Sequence, residues 1–327
     1  MSRQVSRRAR SRLPSPARRR FLARGTGLLA LGLAGPMLLP SPVAVRARTG
    51  DGIHRKTIPG TEESLPTIGM GTYITFNVGP GEAARAPLAE VLRIFFDRGG
   101  GMIDSSPMYG AAETVLGDLL AALDYPPEQL FSATKVWTRG TNRGAEQIDE
   151  SLHLWGLSRF DLMQVHNLVN WREHLETLRA RRNHGEIRYL GITTSHGRRL
   201  DEFEQIMRDE PIDFVQLTYN VIDRWAEEGL LPLAQERGIA VIANRPFQRG
   251  TLFDRFGDQP LPAWAEQAGI ANWAQFFLKF IVSHPAVTCA IPATSQPEHM
   301  RENMGALRGQ VPDADMRAKM IEYIDDL

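Results

Sequence analysis

Ile103-Asp104-Ser105-Ser106-Pro107-Met108-Tyr109-Gly110, Ala133-Thr134-Lys135-Val136 and Asp161-Leu162-Met163-Gln164-Val165-His166-Asn167 carry the reading of this chain. In each, an apolar run suited to a buried parallel strand leads to an ionisable group. Asp104, Lys135 and His166 follow one another at intervals of 31 residues, and about 30 residues make one strand-helix-strand repeat. Polar groups at the C-terminal ends of consecutive strands in such a repeat converge on the top of a (β/α)8 barrel, where active sites of that fold lie. The spacing therefore gathers a carboxylate, an ammonium and an imidazole. Tyr109, five residues after Asp104, adds a phenol.

Working outward, apolar runs suited to strands occupy 67–72, 102–105, 130–136, 161–166, 189–193, 213–217, 240–243 and 287–292. Helical patterns alternate with them at 87–98, 113–123, 145–155, 171–184, 200–208, 230–237, 273–283 and 297–307. Leu88, Val91, Leu92 and Phe95 recur at the spacing of a buried helix face. Two short candidate strands around 56–58 and 64–65, joined by Pro59-Gly60, precede the series, and a helix over 314–324 follows it. The expectation is an α/β chain folded as a single (β/α)8 TIM barrel over residues 53–327, with an N-terminal β-hairpin and an extra C-terminal helix. The longest departure from the repeat is the loop 247–269, which reads as a segment that binds or covers a ligand.

Residues 1–48 read as an address. They hold eleven Arg and no acidic residue, so the remainder carries 27 basic against 38 acidic groups. An anionic domain argues against nucleic acid as a partner. Arg18-Arg19-Arg20-Phe21-Leu22 leads into an uncharged Leu/Gly/Ala-rich run, then small residues around Ala47. That order resembles a twin-arginine signal, which implies delivery by the twin-arginine (Tat) export machinery, cleavage near Ala47 and a periplasmic location. An Arg-rich tail on a cytoplasmic protein is the alternative. The apolar run is too short for a stable transmembrane anchor. Cys289, the single cysteine, lies in an apolar stretch and reads as a small buried hydrophobe.

A phenol alone is a poor acid, with a reference pKa of about 10. An adjacent ammonium favours the phenolate and lowers that value, and a carboxylate keeps the ammonium charged and placed. Asp104, Lys135 and Tyr109 can form such a chain, with Tyr109 giving a proton to an oxygen that gains charge. His166 can hydrogen-bond the same oxygen. No metal-ligand set is expected. A salt bridge across the barrel mouth, a packed Tyr and a helix-capping His are the bland alternatives for the same residues.

The three quoted strings resemble signature segments of the aldo/keto reductase family, and the likeness continues in order along residues 53–327. It implies an NAD(P)H-dependent reduction of a small aldehyde or ketone. Tyr109 would be the general acid, Lys135 and Asp104 its tuning partners, and His166 the residue that orients the carbonyl. By the same resemblance Thr72 would touch the cofactor and Tyr73 the substrate. Gln216 and the pair Thr193-Thr194 would hold the nicotinamide amide. Asn244-Arg245-Pro246-Phe247 stands where the family usually has Tyr-Ser-Pro-Leu, which makes Pro246 and Phe247 cofactor contacts without the usual stacking ring. Thr294, His299, Glu302 and Asn303 match the adenosine end, with Ala293 and His299 in place of frequent Lys and Arg, and Arg301 available to compensate. NADPH is the implied cofactor and NADH the alternative. Tyr73, Trp137, Asn167 and the loop after Phe247 are the expected substrate lining. A cofactor-binding regulatory barrel with little turnover is the second reading of the chain.

Overall fold

The computed structural model describes residues 52–195 and 197–327. The address read at residues 1–48 lies outside the described residues. A hairpin of β1 (Arg55–Thr57) and β2 (Ser64–Pro66) comes first. The barrel strands follow as β3 (Met70–Gly71), β4 (Met102–Asp104), β5 (Phe131–Val136) and β6 (Phe160–Val165). The second half is β7 (Ile187–Thr193), β8 (Phe214–Thr218), β9 (Ala240–Asn244) and β10 (Val287–Ala290). Neighbours in sequence are neighbours in the sheet, and all pair in parallel. The ring closes where Ile68 bridges Ala290 and the Gly69 amide donates over 2.8 Å to the Ala290 carbonyl.

The first strand was expected over 67–72, yet only Met70–Gly71 ladders with β4. The rest of that run closes the seam instead: Ala290 donates to the Thr67 carbonyl, and Gly71 to that of Pro292. Gly69 allows this approach, because a Cβ there would sit 2.9 Å from the Met102 carbonyl oxygen.

Helices α1 (Glu82–Asp97), α2 (Ala112–Ala122), α3 (Thr141–Trp155), α4 (Trp171–Asn183) and α5 (Leu200–Asp209) clothe the first strands. Then come α6 (Leu230–Arg237), α7 (Thr251–Phe256), α8 (Trp273–Ser283), α9 (Pro297–Gly305) and α10 (Ala314–Asp325). Helix α1 begins a turn earlier than the pattern at 87–98 suggested, with Pro87 inside it. The proline removes only the bond to the exposed Ala83 carbonyl, which water can satisfy. The loop 247–269 is not wholly irregular, since α7 lies within it. Nearly every residue of α8 is buried, so one apolar stripe cannot serve it. It packs on β10 and α9, and the extra helix α10 covers it with Met320 and Ile324.

Two apolar layers result. The larger lies between strands and helices; the smaller fills the barrel with Met102, Phe131, Leu162, Phe214, Ile242 and Cys289. Ile58 and Leu65 of the hairpin region join this interior layer. Lys56 fastens the hairpin to the foot of β10 through the His284 and Val287 carbonyls, each at 2.6 Å. Burial pushes its pKa down to about 8. Glu113 on α2 ties α2 to β5 and α3 by accepting from Thr134, Ser151 and Trp155. Such satisfaction is what a buried carboxylate requires.

Candidate active site

The period of two along a strand builds the site from the interior layer. Met102 belongs to the apolar plug, and Asp104, two residues on, faces the same way one level higher. Ala133 leads likewise to Lys135, Leu162 to Gln164 and then His166, and Phe214 to Gln216. The barrel interior therefore changes from apolar to polar toward the C-terminal ends of its strands.

At that level Lys135, 1% exposed, donates from Nζ to Asp104 Oδ2 over 2.5 Å and to the Ser105 carbonyl over 2.7 Å. Asp104 Oδ1 accepts from the amides of Gln164 at 2.9 Å and Gln216 at 3.0 Å. Both carboxylate oxygens are thus satisfied in a place without solvent, the condition under which a buried pair is tolerable. Burial alone would lower the Lys135 pKa, but the Asp104 charge and Tyr109 outweigh it, and the ammonium is held above its ordinary value.

Tyr109 ends a short 3-10 turn, Pro107–Tyr109, started by Ser106, whose Oγ accepts from the Met108 amide at 3.2 Å. Its ring centroid lies 5.1 Å from Lys135 Nζ, 4.9 Å from the Tyr73 ring and 5.8 Å from that of His166. The sequence predicts a phenol pKa lowered by the ammonium. The structure corrects that: burial pushes the phenol above its ordinary value, Lys135 pulls it back only in part, and Asp104 adds to the rise. The hydroxyl stays protonated at neutral pH and can give its proton to a strong base such as a nascent alkoxide. His166 sits just past β6, its Nδ1 2.9 Å from Ser106 Oγ. Burial, then the Lys135 charge, hold its pKa well below the usual imidazole value, so the ring is neutral.

These groups open on a cavity of about 760 Å³, inside the range of roughly 300–1,000 Å³ found for small-molecule sites. Asp104, Tyr109 and His166 line it, with Thr72, Tyr73 and Asn167 beside them. Thr193, Thr194, Gln216, Pro246 and Phe247 form another wall, and Thr294, His299, Glu302 and Asn303 reach it from the segment around α9. Trp137 is the exception: it stands 42% exposed on the rim, outside the cavity lining. Strand β5 ends at Val136, and the Trp137 amide donates to Gln147 of α3, which turns the chain away. Gln216 binds Asp104 as well as lining the cavity. Arg301 pairs with Glu298 at 2.9 Å and Glu90 at 3.4 Å and lies outside the cavity lining.

Several contributors were missed. Gln164 falls two residues before His166 and shares its facing, a parity visible in the string itself. Ser106 immediately precedes the turn that carries Tyr109. Arg198, Arg245 and Arg249 bring positive charge to the cavity from loops that strand periodicity does not describe. Arg249 donates over 2.8 Å to the Tyr73 hydroxyl and lies over that ring, which links the loop after β9 to the centre. Ile74, Met108 and Phe253 give the mouth exposed apolar surface. Among the described residues, no cluster of three or more His, Cys, Asp or Glu is placed to hold a metal.

The cavity wall also carries unsatisfied polar atoms. Asn303 Nδ2 and Arg245 Nε are buried without hydrogen-bond partners. A ligand that brings hydrogen-bond acceptors to these two donors fits such a wall, since buried polar atoms otherwise remain costly.

A parallel eight-stranded barrel with a buried ammonium–carboxylate pair, a phenol and an imidazole at the mouth of one cavity defines a (β/α)8 protein with a polar site of small-molecule size. The chain belongs to the aldo/keto reductase family, whose model matches residues 67–324. It is 26% identical over 260 residues to the methylglyoxal reductase YeaE of Escherichia coli, across 77% of this chain and 89% of that protein. It is 24% identical over 315 residues to an NADH-specific methylglyoxal reductase of the same organism, across 78% and 94%. An aldo/keto reductase from Klebsiella pneumoniae solved with NADP and acetate superposes with a TM-score of 0.68 at 24% identity, covering 81% of this chain and 93% of that one.

Proposed function

We propose that this chain reduces a small aldehyde or ketone with NADPH, Tyr109 supplying the proton. The observation that carries the reading is a phenol kept protonated by burial, with Lys135–Asp104 and His166 at one cavity. The reductase relatives and the NADP-bound neighbour support it. Thr193, Thr194 and Gln216 would hold the nicotinamide amide, and Asn303 and Arg245 the distal polar groups. When bound, the reduced nicotinamide supplies the hydride. Everything else falls to the protein. His166 and Tyr109 direct the carbonyl oxygen, and the phenol proton passes to it as negative charge builds. The Lys135 ammonium then steadies the phenolate left behind. Water exclusion by the apolar mouth strengthens each of these interactions.

The test follows nicotinamide oxidation over a panel of small carbonyls that includes methylglyoxal and glyceraldehyde 3-phosphate, with NADPH and NADH in parallel. Carbonyl-dependent NADPH oxidation is expected. Tight cofactor binding without turnover on any member would instead favour a regulatory barrel.

We also propose that residues 1–48 direct the chain out of the cytoplasm as a twin-arginine signal. Their support is the charge asymmetry and the Arg18-Arg19 pair ahead of a short apolar run. Cell fractionation with mass spectrometry of the N-terminus should find periplasmic protein shortened near Ala47. Full-length protein confined to the cytoplasm would overturn this.

A further inference from the structure

Ser106 makes two contacts that join the two groups facing the carbonyl. Its Oγ accepts from the Met108 amide and starts the turn that ends in Tyr109. The same oxygen lies 2.9 Å from His166 Nδ1, and Ser106 is fully buried. A hydroxyl has one proton and two acceptor sites. The Met108 N–H uses one acceptor site, and a buried O–H needs an acceptor of its own. His166 Nδ1 is the acceptor within reach. Nδ1 must then be unprotonated, so the neutral ring carries its proton on Nε2. His166 lines the cavity, and no described residue partners Nε2.

We infer that Ser106 is a positioning residue that locks His166 in the Nε2–H tautomer, so that the imidazole donates to the carbonyl oxygen rather than facing it with a lone pair. The distinction matters because the opposite tautomer would present a lone pair to an oxygen that becomes negative. Repulsion would then replace a hydrogen bond at the moment charge develops. Through the same atom, Ser106 fixes the start of the turn that carries Tyr109 relative to the ring. The inference rests on the carbonyl-reductase reading for its kinetic consequence, but the tautomer itself does not.

The experiment uses the whole protein labelled with 15N-histidine. The His166 resonances are assigned by their loss in His166→Gln. Ring nitrogen shifts of the wild type should show an unprotonated Nδ1 and a protonated Nε2. In Ser106→Ala they should move toward a tautomer mixture, with kcat about tenfold lower, as expected for one lost charge-directing hydrogen bond. Cofactor affinity and KM should change far less than kcat, and Ser106→Thr should restore both the tautomer and the rate. A wild-type ring protonated on Nδ1 overturns the inference even if the variants fail to fold. So does a Ser106→Ala protein with unchanged shifts and kcat. If the wild type shows the Nε2–H form but turns over no carbonyl, the reductase reading fails and the tautomer assignment stands.

Discussion

Replacing Tyr109 with Phe is expected to lower kcat for the best carbonyl substrate by about a thousandfold, within the 10²–10⁴ range of general-acid contributions. The ring stays, so its contacts with Tyr73 and His166 at 4.9 and 5.8 Å persist and the cavity keeps its shape. Only the hydroxyl, which faces Lys135, is removed. Cofactor affinity, read by fluorescence titration, should therefore remain close to that of the wild type. A variant that retains most of its turnover would remove Tyr109 from the role of proton donor and leave His166 or an ordered water to take it.

Lys135→Met should lower turnover by about two orders of magnitude or more and also destabilise the fold. Asp104 would keep only the two glutamine amides, and breaking a buried pair in this way costs about 3–5 kcal/mol. A urea titration reads that loss. The pH profile reads the chemistry. Lys135 opposes the rise in the phenol pKa, so its removal sends that pKa higher still. Reduction needs the protonated phenol, so its alkaline limb should move to higher pH. The ammonium also lowers the His166 pKa, so without it the imidazole takes up a proton at a higher pH than before. The acid limb should move in the same direction. Limbs that stay in place on a measurable residual rate would mean that Lys135 is structural only.

The barrel was legible in the chain because strand spacing and helix periodicity agree over eight repeats. Asp104, Lys135 and His166 stand out because an ionisable group at the end of an apolar run is rare. Gln164 stood in the same string and was passed over, since a neutral amide gives no such contrast. Trp137 is expected in the substrate lining, but the strand stops one residue earlier and the chain turns outward. The direction of the Tyr109 shift was not readable at all. It depends on how much burial outweighs one ammonium, and burial is a property of the whole packed barrel. Arg249 was missed for a similar reason: its partner Tyr73 is 176 residues away in sequence.

The seam between β3 and β10 holds the lone thiol. Cys289 is wholly buried in the barrel interior opposite Gly69, and burial pushes its pKa up to about 12. In the closed barrel a thiol so placed offers neither access nor thiolate to an alkylating reagent. Modification must wait until the first and last strands part. The chain thus carries a built-in clock on its own circumference: the pace of alkylation under native conditions, set against that of the unfolded protein, gives the free energy of unlatching the ring.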